Sequence, residues 1–211
     1  MPKRKGTTER LAAFSDAVFA VIITIMILDL KPPEHPTFAA LLPLWPTGLS
    51  YAVSYLFIAI VWTNHHYLLR FTDESTARLI WINFAHLFMV SLVPFVTVWV
   101  ASSHLAVVPV FVYAAVFVLV ELVYLQFEHH TLAHAVAEEI SHQTRRLAKT
   151  RSLVAFGLFF TAMLVSLKFP KWGFGLVCCA VLLHLIPEPT GTRGNGTDDS
   201  ELHNKVPTQE Q

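Results

Sequence analysis

Long apolar segments follow one another along most of this chain, and they constrain its fold more than any other feature. A helix needs roughly 20 apolar residues to cross the hydrocarbon core of a bilayer. With 54% hydrophobic and 14% charged residues, the chain has more apolar surface than one soluble core of 211 residues needs. The sequence therefore predicts an all-α integral membrane protein with six transmembrane helices per subunit, at about residues 11–30, 48–70, 79–101, 106–126, 152–168 and 172–187.

The distribution of lysine and arginine predicts the topology. If the amino terminus is cytoplasmic, only Lys31, Lys168 and Lys171 of the 15 basic residues lie outside. Such a bias places both termini in the cytoplasm. The expected location of this multi-pass protein is the plasma membrane. The basic edges follow from this topology and from attraction to anionic lipid, so the lipid bilayer is an expected partner and nucleic acid is not.

The remaining segments differ in composition. Residues 1–9 form a cytoplasmic amino-terminal segment, residues 10–187 the transmembrane domain, and residues 188–211 a polar tail expected to be disordered. The proline-rich stretch from Lys31 to Pro46 predicts an irregular outer loop. The polar stretch from Phe127 to Arg151 is expected to extend the fourth helix into the cytoplasm before the chain turns back.

The first helix carries an apolar stripe with a single hydroxyl. Its members follow a 3-4-3-4 spacing, with Ile25 beside them, and are Phe14, Ala17, Val21, Thr24 and Leu28. One interpretation is a seam that packs against another helix. The other is a pore wall, in which copies of the stripe from several subunits meet on an axis and form a hydrophobic constriction.

Asp16 is a charged residue at the mouth of this span, where it needs a buried partner or a function. At about 100° per residue it is displaced from the stripe, so we expect it to point into the bundle as a structural anchor. Ser15 precedes it. Polar residues near the inner ends of the second and third spans are candidate partners in one closed network: Trp62, Asn64, His65, His66, Asn83 and His86.

The pattern Arg-x-x-x-Phe-Ser-Asp, formed by Arg10, Phe14, Ser15 and Asp16 and continued as Ala-Val-Phe-Ala-Val-Ile-Ile-Thr-Ile-Met-Ile-Leu, resembles the first helix of the transmembrane protein 175 family. In animals that family includes a lysosomal potassium channel, and its bacterial members are single-repeat relatives. The resemblance is specific over residues 10–30, and the six spans extend it over about residues 8–187.

This resemblance implies a potassium-permeable cation channel that acts as a homotetramer, with residues 10–187 as the channel domain. It places the hydrophobic constriction of the pore at Val21, Thr24 or Ile25, and Leu28, and it implies that Ser15 and Asp16 hold the first helix to its neighbours. The permeant ion would be K⁺, with no cofactor. Valine at position 21 is smaller than the residue expected there, and no Thr-Val-Gly-Tyr-Gly filter is present, so selectivity for potassium over sodium should be modest.

Two alternatives remain open from the residues alone. Asp16 and Glu121 motivate a proton-coupled transporter, because both are carboxyl groups within spans. His130 and His134 lie one helical turn apart and motivate a membrane-embedded metalloenzyme, with His129, Glu128, Glu138 and Glu139 nearby. A solvated helix extension is the preferred interpretation of that cluster, since no HExxH or paired-cysteine pattern accompanies it. The sequence thus predicts no metal site and no enzyme activity.

Overall fold

A computed structural model of the protein describes residues 5–69, 76–134 and 142–185. Within these ranges every regular element is helical. The two 3₁₀ turns are Ile27–Asp29, after the first helix, and Leu42–Leu44, before the third. The α-helices are α1 (Lys5–Met26), α2 (Phe38–Leu41), α3 (Trp45–Leu69), α4 (Ala77–Ser91), α5 (Val93–Ser102), α6 (Val107–His134), α7 (His142–Ser166) and α8 (Pro170–His184).

Five helical stretches are long and apolar enough to cross a membrane: Thr7–Asp29, Phe38–Leu69, Ala77–Ser102, Val107–Leu132 and Lys149–Ser166. A sixth apolar helix, Pro170–His184, is shorter, at 15 residues. The predicted all-α, multi-pass membrane architecture is confirmed. The cytoplasmic location of the two termini stays a prediction, and the tail at 188–211 lies outside the described residues.

The third span, predicted as one segment, is divided into α4 and α5 at Leu92. Pro94 follows in the first turn of α5, where a missing amide proton removes no helical hydrogen bond. Thr97 then bonds back from its hydroxyl to the carbonyl oxygen of Val93 at 2.7 Å. The division therefore separates two helices within a single crossing of the membrane.

The loop predicted from Lys31 to Pro46 is shorter than expected. Phe38–Leu44 is helical, and α3 begins at Trp45. Thr37 caps α2, accepting a hydrogen bond from the amide of Ala40. Proline did not exclude helix here because Pro43 and Pro46 occupy first turns, where proline is tolerated.

Aromatic rings at the centre of the bundle join three of its helices. Phe57 of α3 stacks on Phe117 of α6 with ring centroids 3.9 Å apart, and Phe159 of α7 meets both rings edge-on. All three side chains are buried. Beside them, the hydroxyls of Ser54, Thr97 and Tyr113 form a buried chain of hydrogen bonds of 2.7 and 2.8 Å.

Helix α6 lies at the centre of the fold and α1 at its edge. In the most apolar 18-residue stretch of Val107–Leu132, 56% of the residues are buried, against 28% in Thr7–Asp29 and 28% in Lys149–Ser166. The first and fifth spans therefore have the smaller share of fully buried residues within one subunit.

The predicted extension of the fourth span is confirmed as far as His134, where α6 ends. One expectation about it is wrong, because a face of the extension is buried rather than solvated. Phe127, Glu128 and Thr131 are at most 3% exposed, and Phe127 belongs to a second apolar cluster with Leu11, Leu68, Leu79 and Tyr124. Residues 135–141, with Glu138 and Glu139, lie outside the described residues.

Candidate functional site: the two faces of the first helix

Helix α1 presents one face to the bundle and the other away from it. The residues that face the bundle are buried and recur every three or four positions: Leu11, Ser15, Phe19, Ile22 and Met26. The predicted pore stripe lies opposite and is exposed within one subunit. Val21 is 53% exposed, Ile25 47% and Leu28 77%.

Thr24 supplies the hydroxyl of the exposed stripe. Its Oγ1 lies 2.9 Å from the carbonyl oxygens of both Ala20 and Val21, to which it donates. Since the hydroxyl proton is used within the helix, the oxygen lone pairs are directed outward as acceptors. Leu28 lies in the 3₁₀ turn that follows α1, where the helix winds more tightly.

Phe14, at the other end of the stripe, is partly covered by a neighbouring helix. Its ring meets Phe84 of α4 edge-on, with centroids 5.5 Å apart, although 47% of its surface is exposed. The exposed face is therefore continuous from Ala17 to Leu28, while Phe14 lies at the junction with α4.

Ser15 belongs to a fully buried network that ties α1 to α3 and α4. Asn83 donates from Nδ2 to Ser15 Oγ at 3.0 Å, and the Ser15 hydroxyl donates to the Leu11 carbonyl at 2.9 Å. His65 Nε2 lies 2.6 Å from Asn83 Oδ1. Because an amide oxygen only accepts, the proton of this last bond is carried by His65 Nε2.

Asp16 forms a separate group at the edge of the bundle. Trp62 donates from Nε1 to Asp16 Oδ1 at 2.8 Å, and His66 Nδ1 lies 3.5 Å from Oδ2. The Asp16 side chain keeps 38% of its surface exposed. Ser15 and Asp16 thus bond to different members of the predicted set of partners, because successive residues of a helix point about 100° apart.

The other predicted partners contribute differently. His86 is fully buried and stacks on His65, with centroids 5.4 Å apart and planes 3° from parallel. Within the described part of the chain, neither of its ring nitrogens has a hydrogen-bond partner. Asn64 is half-buried and Arg10 exposed, and neither hydrogen-bonds to another described side chain.

Only part of the histidine cluster of the fourth span belongs to the described residues, since Glu138 and Glu139 lie outside them. Within the described part, no group of three or more His, Cys, Asp or Glu side chains is arranged to hold a metal ion. His129 is exposed and His130 half-buried, while the side chain of His134 lies outside the description. Glu121 is buried, as its position in a span predicted.

Sequence reasoning missed two polar features of the spans. One is the buried hydroxyl chain of Ser54, Thr97 and Tyr113, and the other is the burial of Glu128. Hydroxyl residues spaced through otherwise apolar helices were the available signal, because buried polar groups must find partners in a membrane. Which helices they join is decided only by the packing.

Comparisons with known proteins agree with this architecture. The sequence profile described as "Endosomal/lysosomal potassium channel TMEM175" matches residues 10–94, which contain the signature, the second span and most of the third. A potassium channel from Chryseobacterium sp. (strain P1-3) is 32% identical over 182 residues, covering 86% of this chain and 94% of the relative. The human endosomal/lysosomal proton channel TMEM175 is 21% identical over 197 residues, covering 87% of this chain and 39% of the human protein.

A solved structure extends the likeness to the fold. The crystal structure of a lysosomal potassium-selective channel TMEM175 homologue from Chamaesiphon minutus superposes with a TM-score of 0.77 at 26% sequence identity. The match covers 85% of this chain and 96% of that one. Taken with the near full-length match to the Chryseobacterium channel, it shows that this chain belongs to the TMEM175 family.

Proposed function

We propose that the protein is a potassium-permeable cation channel of the plasma membrane, formed by a homotetramer with α1 of each subunit lining the pore. The observation that carries the proposal is the exposed apolar stripe of α1. It lies opposite the fully buried network of Ser15, Asn83 and His65, which we call the polar anchor. The bacterial relatives named as potassium channels support the same function.

The anchor and the stripe are related by helix geometry. Thr24 follows Ser15 by nine residues, which at about 100° per residue places it on the opposite side of α1. The Ser15–Asn83–His65 network fixes the rotation of the helix about its own axis. It would thereby hold Val21, Thr24 and Leu28 toward the axis of an assembly.

Such a pore would control permeation through the cost of dehydrating an ion. Val21, Ile25 and Leu28 offer no ligand to a cation, and Thr24 offers one hydroxyl oxygen per subunit. A narrow apolar ring excludes water, and K⁺ gives up its water more readily than the smaller Na⁺, which gives modest selectivity for potassium. This mechanism needs no cofactor, bound metal or catalytic group.

Proton permeation is a second candidate, because animal relatives are named endosomal/lysosomal proton channels. The carboxyl groups of Asp16 and Glu121 would be the groups to test, in a channel or in a proton-coupled transporter. Asp16 is partly exposed and Glu121 is buried, so the two would respond differently to neutralising substitutions. Saturable flux that stops in Asp16→Asn or Glu121→Gln would favour the transporter.

The test is potassium and sodium flux from liposomes that contain the purified protein. A change of about 1.4 kcal/mol in a barrier alters a rate about tenfold, so we expect Leu28→Ala, which widens the constriction, to raise flux several-fold. Thr24→Ala should lower the ratio of potassium to sodium flux. Leu164→Ala is the matched control, since Leu164 is an exposed leucine of α7 outside the stripe.

The outcome that would overturn the pore assignment is flux that responds to Leu164→Ala and not to Leu28→Ala. Absence of flux in every variant, with intact protein in the bilayer, would overturn the channel itself. Measurement of the internal pH of the same liposomes distinguishes proton permeation from potassium permeation.

A further inference from the structure

A cavity of about 210 Å³ lies where α1, α3 and α5 diverge, beside the 3₁₀ turn that ends the first span. Its walls are apolar, formed by side chains such as Met26, Tyr51, Val98 and Ala101. Pockets for drug-sized ligands hold roughly 300–1,000 Å³, so this one fits a smaller molecule.

A second, more open cavity of about 390 Å³ adjoins the first. It is lined by Phe95, Trp99 and three residues shared with the deeper cavity, which are Asp29, Val98 and Ser102. The rings of Phe95 and Trp99 lie 5.9 Å apart and tilt by 36°. The shared residues connect the two cavities. The outer cavity is aromatic and bears the Asp29 carboxylate, whereas the deeper cavity is mainly apolar.

Several polar groups of this site can accept hydrogen bonds from a ligand. The hydroxyls of Ser50, Thr97 and Ser102 donate within their own helices, to carbonyl oxygens at 3.2, 2.7 and 3.3 Å. The lone pairs of Ser50 and Ser102 remain for a ligand, whereas the Thr97 oxygen is also hydrogen-bonded to the Ser54 hydroxyl. Asp29 adds a carboxylate that forms no ion pair with any described residue.

We propose that these joined cavities bind a small organic ammonium ion with an apolar body. The ammonium group would lie between the Asp29 carboxylate and the faces of Phe95 and Trp99, where ion pairing and cation–π attraction act together. The apolar body would fill the deeper cavity. A neutral ligand without a donor would leave the Asp29 carboxylate without a partner. An anion would be repelled by that carboxylate.

Lys31 also lines the deeper cavity and adds a positive charge two residues from Asp29 in the sequence. Its side chain is exposed, so its ammonium group can extend into water on its flexible stem. It reduces the attraction for a cation without closing the site. Removing its charge should therefore strengthen binding, the opposite of the effect of removing Asp29.

The position of the site relates it to the proposed pore. Met26 and Leu30, which border the cavity, flank the 3₁₀ turn that carries Leu28. A ligand held there would press on the outermost residue of the stripe and change conductance. This consequence rests on the proposed function, whereas binding itself does not.

The experiment measures hexylammonium binding to the full-length protein in lipid nanodiscs, by saturation transfer from protein methyl groups with empty nanodiscs subtracted. We expect Ala101→Leu, which fills the cavity, to weaken binding about tenfold or more, and Asp29→Asn to weaken it about threefold. Lys31→Gln should tighten it. Hexanol should bind more weakly than hexylammonium, and hexanoate should not bind.

Matched controls separate the site from general effects of the substitutions. Ala52→Leu adds the same atoms to an exposed position of α3, and Glu34→Gln removes an exposed carboxylate that lines neither cavity. Both should bind as the wild type does. Binding unaltered by Ala101→Leu in a folded protein, or equal binding of hexanol and hexylammonium, would overturn the proposal. Because this assay needs no ion flux, its result is independent of channel activity.

Discussion

At the scale of single residues, the polar anchor of α1 depends on Asn83 more than on the acidic residue that marks the motif. Asn83 is fully buried and serves both Ser15 and His65. Asn83→Leu keeps the branched shape of the side chain but removes the acceptor of the His65 Nε2 proton and the donor to Ser15, whose hydroxyl keeps only its bond to the Leu11 carbonyl. With about 1–3 kcal/mol for each buried polar group left unpaired, the free energy of unfolding should fall by more than 1 kcal/mol. Thermal unfolding of detergent-solubilised protein measures the change.

Asn64→Leu is the control for that substitution. Asn64 is half-buried, and its amide makes no hydrogen bond to another described side chain, so its replacement should alter the melting temperature little. Equal melting temperatures for the two variants would contradict the role given to Asn83. Asp16→Asn should also be mild, because the Asp16–Trp62 bond lies at a partly exposed edge, where such contacts contribute about 0–1 kcal/mol.

At the scale of elements, the hairpin of α7 and α8 depends on one glycine. A Cβ at Gly173 would lie 2.6 Å from Ser166 Cβ and 2.9 Å from the Ala162 carbonyl oxygen. Gly173→Ala should therefore push the two helices apart and cost about 1–3 kcal/mol, measured as a lower melting temperature.

Gly175, two residues further along the same helix, supplies the opposite case. A Cβ there meets nothing within 4 Å. Gly175→Ala should leave the protein unchanged or stabilise it by up to about 1 kcal/mol, through the higher helix propensity of alanine. If both variants lose stability equally, the close contact at Gly173 does not explain its loss, because Gly175 has no such contact.

Much of this element structure was predictable from the sequence, and the exceptions have physical causes. The apolar runs predicted the six spans, because a helix needs roughly 20 apolar residues to cross a bilayer. The 3.6-residue period separated Ser15 from the Val21–Leu28 stripe. Periodicity could not assign Ser15 to Asn83 and Asp16 to Trp62, since partners on other helices depend on how those helices pack. It also could not reveal that Glu128, which follows the predicted end of the fourth span at residue 126, is buried.

At the scale of the whole molecule, one subunit leaves two helices largely uncovered, and exposure alone does not say which of them meets another subunit. Leu28 of the α1 region is 77% exposed and Leu164 of α7 is 50% exposed. Lipid can cover either face. The assembly we propose requires that α1 faces its copies and α7 faces lipid, which a distance measurement between subunits can decide.

Cysteine cross-linking makes that measurement in a background with Cys178→Ser and Cys179→Ser. Disulfides form when Cα atoms come within about 4.4–6.8 Å, a separation that residues around a narrow pore can reach and lipid-facing residues cannot. We expect Leu28→Cys to give covalent dimers on a non-reducing gel after mild oxidation, and Leu164→Cys to remain monomeric. If Leu164→Cys formed dimers and Leu28→Cys did not, α7 would lie at the subunit contact and the α1 stripe would face lipid. Native mass spectrometry of the unoxidised protein, with four chains expected, fixes the number of copies around the axis.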